Sequence, residues 1–222
     1  MSTWSIAFIS LFAANSAVHL YSCYPTPKRV LRPVTKSFLM PTLIVCYCLL
    51  ANNFILWVPL ALFFSFLGDV FLIFKTKKRA FFLAGIGSFG LAHVAYIIAN
   101  LSLVPRSAPL ATTIAALAYA VVFGLLFMKS VYRYLPKNMK VAASFYSLLI
   151  ISDSFFALRS LITVFSVPTL IVFIGSLLFI FSDYTLSMQY FKKVTKIGNF
   201  SVMFTYILAQ ACLAFGFALF KF

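Results

Sequence analysis

The chain contains no glutamate and only three aspartates in 222 residues. A soluble domain spreads carboxylates over its surface, and this one has none to spread. Cysteine is scarce too: Cys23, Cys46, Cys48 and Cys212. Cys46 and Cys48 are two apart, so on a helix they point about 200° apart. That spacing excludes a metal knuckle and a disulfide framework, and the four read as small buried hydrophobes. The two histidines, His19 and His93, cannot supply a three-histidine zinc site. No G-x-S-x-G elbow, P-loop or H-E-x-x-H motif occurs.

What the chain has is hydrocarbon. Hydrophobic residues make up 64% and charged residues 9%, with 28 phenylalanines. Mean hydropathy is +1.06. Soluble domains carry about 25% charged residues, so the chain is read as an all-α polytopic membrane protein. Residues 1–222 form one membrane domain, because no stretch between apolar runs is long enough for another. The N-terminus has no basic segment before its apolar run, so it reads as a retained first span. The net charge of +15 does not point to nucleic acid. Its lysines and arginines occupy short connections between apolar runs, where anionic headgroups and the insertion machinery place them.

A spanning helix needs about 20 mostly apolar residues. Eight spans are expected near 4–22, 37–51, 54–74, 80–100, 109–128, 141–159, 164–187 and 199–220. The second and third would turn at Asn52-Asn53. Basic residues alternate between the connections. Lys28, Arg29, Lys75, Lys77, Lys78, Lys193 and Lys196 are among fifteen of the eighteen that fall in odd-numbered ones. Arg106, Arg159 and Lys221 fall on the other side. The positive-inside rule then puts both termini away from the cytoplasm. A bacterial inner membrane or the endoplasmic reticulum suits such a chain. No solenoid-type repeat is apparent.

All three aspartates lie inside apolar runs: Asp69, Asp153 and Asp183. A charge within a spanning helix costs at least ~2.5 kcal/mol, so it faces a cavity, a bundle interior or a partner. Asp69 and Asp183 fall at similar depth in the cytoplasmic half, and Asp153 and His93 lie past the middle. Polar residues form stripes. Gly85, Phe89, His93, Tyr96 and Asn100 share one face of the fourth span. Tyr146, Asp153 and Ser160 are spaced by seven on the sixth. Ser176, Asp183 and Ser187 align on the seventh, and Asn199, Tyr206 and Gln210 on the eighth. Gly87 and Gly90 would permit close helix approach. Inward-facing stripes would make a polar intramembrane cavity joining Asp69 and Asp183, with His93 on its wall. Taken one at a time, such polar residues commonly do no more than hydrogen-bond a neighbouring helix.

Five segments together resemble the YhhN-type lysoplasmalogenase family. Gly68-Asp69 with Leu72 resembles its GDxxL motif, and Phe89, His93 and Tyr96 its FxxxHxxY motif. Leu178-Phe179, Ser182-Asp183 and Leu186 resemble LFxxSDxxLA. Tyr206 and Gln210 are similar to the YxxxQ of the last helix, and Lys36 with Leu39-Met40-Pro41 to the early TKPLLMP segment. Ser37 stands where that segment usually has proline. Asp153 stands where an apolar residue is usual, which leaves its role open. The resemblance implies eight spans and hydrolysis of the vinyl-ether bond of lysoplasmalogens to a fatty aldehyde and a glycerophospho-alcohol. No cofactor and no metal ligand is expected, and the sequence leaves open whether a metal assists. The lysophospholipid and the bilayer are then the partners, and nothing decides between monomer and homodimer.

The residues suit that chemistry. A vinyl ether is protonated at its β-carbon, an oxocarbenium ion forms, water adds, and the hemiacetal collapses. Two carboxylates can act as acid, counter-charge and base, as in glycoside hydrolysis. Close together in low dielectric they cannot both ionise readily, so one holds a proton. Asp69, Asp183 and His93 are the expected catalytic residues. Tyr96, Lys36, Tyr206 and Gln210 are the expected substrate-binding residues, with Lys36 on the phosphate. Two other classes fit the same stripes: a proton-coupled transporter, and a lipid-binding scaffold whose aspartates only pair with Lys36 or Arg159.

Overall fold

A computed structural model describes residues 2–24, 30–74, 79–105, 107–192, 195 and 197–221. Lys28, Arg29, Lys75, Lys77, Lys78, Arg106, Lys193 and Lys196 lie outside the described residues. The described chain forms eight α-helices. They are α1 (Thr3–Cys23), α2 (Leu31–Leu50), α3 (Trp57–Ile73), α4 (Arg79–Leu103), α5 (Leu110–Tyr132), α6 (Lys140–Thr163), α7 (Val167–Phe191) and α8 (Gly198–Leu219). A 3₁₀ turn, Lys137–Met139, leads into α6. Seven of the helices are long and apolar enough to cross a membrane, and Trp57–Ile73 is shorter.

Local sequence explains the ends. Ser2 caps α1 by accepting from the Ser5 amide at 3.2 Å. Ser166 and Thr169 form a reciprocal capping box at α7, with Pro168 in the first turn, where its missing N–H costs nothing. The helix α2 begins at Leu31 rather than near 37. Arg32 and Lys36 interrupt the apolar run in sequence, yet the helix runs through them because Lys36 finds an internal partner. Past Pro41 the Thr42 hydroxyl bonds the carbonyls of Phe38 and Leu39. The α2–α3 turn does fall at the asparagines. There the Asn52 amide N–H bonds the Ala218 carbonyl at 2.8 Å, and the Asn52 and Asn53 side chains bond Leu219 and Phe220. The turn thereby satisfies carbonyls that the end of α8 leaves without intrahelical donors.

Six helices close a ring in the order α2, α3, α4, α6, α7, α8 and back to α2. Outside it, α1 packs on α2 and α8, and α5 packs on α6 and α7. The packing repeats: α1 to α4 pack in sequence, α5 to α8 do the same, and the halves join through α4 on α6 and α8 on α2. Asp69 and Asp183 occupy corresponding places in α3 and α7, in Gly68-Asp69-x-x-Leu72 and Ser182-Asp183-x-x-Leu186. They are 114 residues apart, as are Tyr96 and Gln210, which bond one another at 2.7 Å across the join. The halves share too few identical residues for this to be visible as a sequence repeat.

Small residues set the tightest crossings. A Cβ on Gly68 would meet the Phe89 ring at 2.7 Å, and one on Gly85 would meet Leu72 at 2.9 Å. In the second half a Cβ on Gly175 would meet Cys212 and Leu213 at 3.0 Å. The close approach expected at Gly87 is not there, since nothing lies within 4 Å of its Cβ position. Gly90 faces Leu149 of α6.

Candidate active site

Asp69 and Asp183 line one cavity of about 250 Å³, enclosed by α2, α3, α4, α7 and α8. Its mouth lies where α2 and α8 begin and carries Arg32, Pro33 and Asn199. Deeper along the same helices are Lys36, Asp69, Asp183, Phe89 and Tyr206. Arg32 donates to the Asn199 side chain at 3.4 Å.

The carboxylates have different partners. Lys36 Nζ stands 2.9 Å from Asp69 Oδ1. Tyr206 donates to Asp69 Oδ2 at 2.8 Å. Asp69 is 1% exposed, so this ammonium and phenol replace the water its charge has lost. Asp183 instead accepts a hydrogen bond from the phenol of Tyr146 on Oδ2. Among the described residues the lysine–carboxylate pair is Lys36–Asp69, and Asp183 has no lysine or arginine partner.

His93 is not among the residues lining this cavity. Its Nδ1 lies 2.9 Å from Asp153 Oδ2, and Asn100 donates to Asp153 Oδ1 at 3.3 Å. Its ring packs edge-on to Phe179 at 4.5 Å and to Tyr146 at 5.8 Å. Phe179 in turn contacts Phe89, which does line the cavity. The imidazole therefore sits one aromatic layer behind the wall where it was expected. Its Nε2 and the Asn100 Oδ1 are buried without a partner among the described residues.

Tyr96 and Gln210, expected to bind substrate, do not line the cavity either. Tyr96 donates to Gln210, whose amide donates to Ser65 at 3.0 Å. This chain ties α4, α8 and α3 together beneath the site. Lys36 and Tyr206 do line the cavity, each bound to Asp69. Arg159 bonds Thr113 at 2.9 Å, joining α6 to α5 rather than to any aspartate. His19 is buried against Thr35 at 2.8 Å, far in sequence from both carboxylates. All four cysteines are free thiols. Among the described residues no three His, Cys or Asp side chains converge as a metal would require.

Three residues of the site were absent from the expected set. Tyr146 was visible only as a member of the seven-residue stripe. Asn199 was likewise one stripe residue among many, and Arg32 looked like an ordinary connecting cation. Pairing across helices distinguishes them, and one sequence does not reveal it.

No curated protein and no solved structure matches the chain. The YhhN family model matches residues 31–217, from the first turn of α2 to the last turn of α8. That stretch contains both aspartates, their three partners and every helix enclosing the cavity, and the chain belongs to the YhhN family.

Proposed function

We propose that the protein hydrolyses the vinyl-ether bond of lysoplasmalogens within the bilayer, with Asp183 as acid and Asp69 as counter-charge and base. One observation carries this reading. Two carboxylates at corresponding places in the two halves line one cavity, yet Asp69 has an ammonium beside its phenol and Asp183 has a phenol without an ammonium. Two close carboxylates share one proton, and unlike partners decide which of them keeps it. Lys36 sets a positive charge 2.9 Å from Asp69, and opposite charges attract strongly where water is excluded. A phenol donates to either form of a carboxyl, so Asp183 can hold a proton beside it.

The steps balance with water as the only co-reactant. Asp183 transfers its proton to the β-carbon of the vinyl ether. The ether oxygen's lone pair closes an oxocarbenium ion, flanked by the Asp183 and Asp69 carboxylates. Water adds at the α-carbon and gives a proton to Asp69. The hemiacetal then breaks its C–O bond to the glycerol oxygen, which takes up that proton, while the hydroxyl proton returns to Asp183. The products are an aldehyde and a glycerophospho-alcohol.

The cavity also suits the lipid's polar end. Arg32, at the mouth, offers a planar fork to a phosphate, with Asn199 beside it. Lys36 is held on Asp69, so Arg32 takes the phosphate-binding role in this reading.

The reaction is tested by giving purified protein a vinyl-ether lysolipid, its saturated-ether analogue and its ester analogue. Aldehyde from the first alone is expected. A wild-type protein that releases none in a membrane-like environment refutes the activity, and the transporter and scaffold readings then return.

A further inference from the structure

The 250 Å³ cavity has a polar mouth and holds both carboxylates, so a long hydrocarbon chain must lie elsewhere. A second internal cavity adjoins it on the other side of Asp183. The two share Leu72, Phe89, Asp183 and Leu186. The second cavity is bounded by α3, α4, α5, the α5–α6 connection, α6 and α7 and, apart from Tyr146, Asp183 and two serines, is lined by apolar side chains and Tyr190. It measures about 80 Å³. Water occupies roughly 30 Å³ per molecule in the liquid, so this space takes the first few carbons of a chain and no more.

The far wall of that cavity is Phe127. Phe127 is also a wall of an open apolar groove between α5 and α7, about 630 Å³ in volume. Leu126, Ile174 and Phe181 on the groove are all more than 40% exposed, and α5 and α7 are both long and apolar enough to cross a membrane. Phe127 itself is 9% exposed. It packs edge-on to Tyr184, the residue after Asp183, at 6.3 Å between ring centres. Asp183, the inner cavity, the Phe127–Tyr184 pair and the open apolar groove therefore follow one another in that order.

We propose that the lipid's hydrocarbon chain leaves the site between α5 and α7, with Phe127 and Tyr184 as the gate it passes. This rests on the lysolipid reading above. It explains why α5 stands outside the six-helix ring, packed only on α6 and α7. The ring encloses the carboxylates, and α5 supplies the outer wall of a slot open to lipid. The substrate enters sideways from the bilayer, headgroup to Arg32 and chain into the groove.

A saturated 1-O-alkyl lysophospholipid carrying a diazirine at the chain end tests this, because it cannot be hydrolysed as a vinyl ether. Full-length protein in nanodiscs is irradiated with a sixteen-carbon and an eight-carbon probe, and labelled peptides are mapped. The long probe should label Leu126, Ile174 or Phe181, and excess unlabelled lysolipid should remove at least 80% of that label. The short probe should label the inner cavity, at Ile86 or Ala143. Phe127→Trp should cut long-probe labelling at least fivefold relative to the short probe. Competed label on α1, α2 or α3 overturns the path. So does label that competitor does not remove, spread over lipid-facing Leu117 and Val122. The wild-type result decides even if Phe127→Trp does not fold. Aldehyde release, measured on the same preparation, separates the two readings. Groove labelling without aldehyde keeps the path and refutes the reaction, whereas aldehyde without groove labelling does the reverse.

Discussion

Tyr146 on α6 donates to Asp183 on α7, and in the first half of the chain Lys36 on α2 meets Asp69 on α3, so the helix before each aspartate helix supplies its partner. A repeated framework thus carries an ammonium and a phenol at one carboxylate and a phenol at the other, and the proposal that Asp183 is the acid rests on this difference. Tyr146→Phe removes a donor without changing ring size. Aldehyde release should fall about tenfold, in kcat rather than KM, because the phenol positions the acid and does not hold the lipid. A pure KM effect would place Tyr146 in substrate binding instead.

The Lys36–Asp69 pair is buried, and breaking such a pair by removing one partner costs about 3–5 kcal/mol. Lys36→Met should lower the unfolding temperature in detergent markedly. Lys36→Met combined with Asp69→Leu should recover most of that stability while remaining inactive. Thermal unfolding of the two variants checks the first point, and the aldehyde assay the second. A stable, active double variant would remove Asp69 from the chemistry.

Asp153 accepts from both His93 and Asn100 and does not line the cavity. Asp153→Asn keeps the size and one acceptor oxygen. It should cost about 1–3 kcal/mol of stability, the range for a buried polar group losing a partner. Aldehyde release should fall by less than tenfold. Loss equal to that of Asp183→Asn, with folding intact, would make the His93–Asp153 pair part of the proton path.

Two glycines in α3 and α4 should respond oppositely. Gly68→Ala forces a Cβ into the Phe89 ring beside Asp69 and should destabilise by about 1–3 kcal/mol. Gly87→Ala meets nothing within 4 Å, and alanine is favoured over glycine in a helix by about 1 kcal/mol. The paired unfolding temperatures test the crossing geometry.

Reporter fusions at Lys221 and in the 75–79 connection should report opposite sides of the membrane. The same side for both would refute the orientation read from the basic residues.

Much of the framework was legible because apolar length and polar stripes follow from bilayer thickness and helix period. Asp69 and Asp183 were legible because a carboxylate inside an apolar run is costly without a purpose. The start of α2 was misplaced, since Lys36 breaks the apolar run and its partner lies 33 residues on. His93 was placed on the cavity wall because helix period tells which face a residue shares. It does not tell which neighbouring helix that face meets, and Asp153 captures the ring first. The pairing of Tyr146 with Asp183 went unread for the same reason. The twofold packing went unread because its two copies keep a pattern of partners rather than a pattern of letters.

The most direct test follows vinyl-ether cleavage in D₂O by purified wild type and Asp183→Asn. Proton delivery to the β-carbon predicts that the wild type releases aldehyde carrying one deuterium at C2. It also predicts that Asp183→Asn, folded to the same unfolding temperature within a few degrees, is slower by about 10²–10⁴-fold. Aldehyde without deuterium at C2, or an Asp183→Asn protein as fast as the wild type, would contradict Asp183 as the acid.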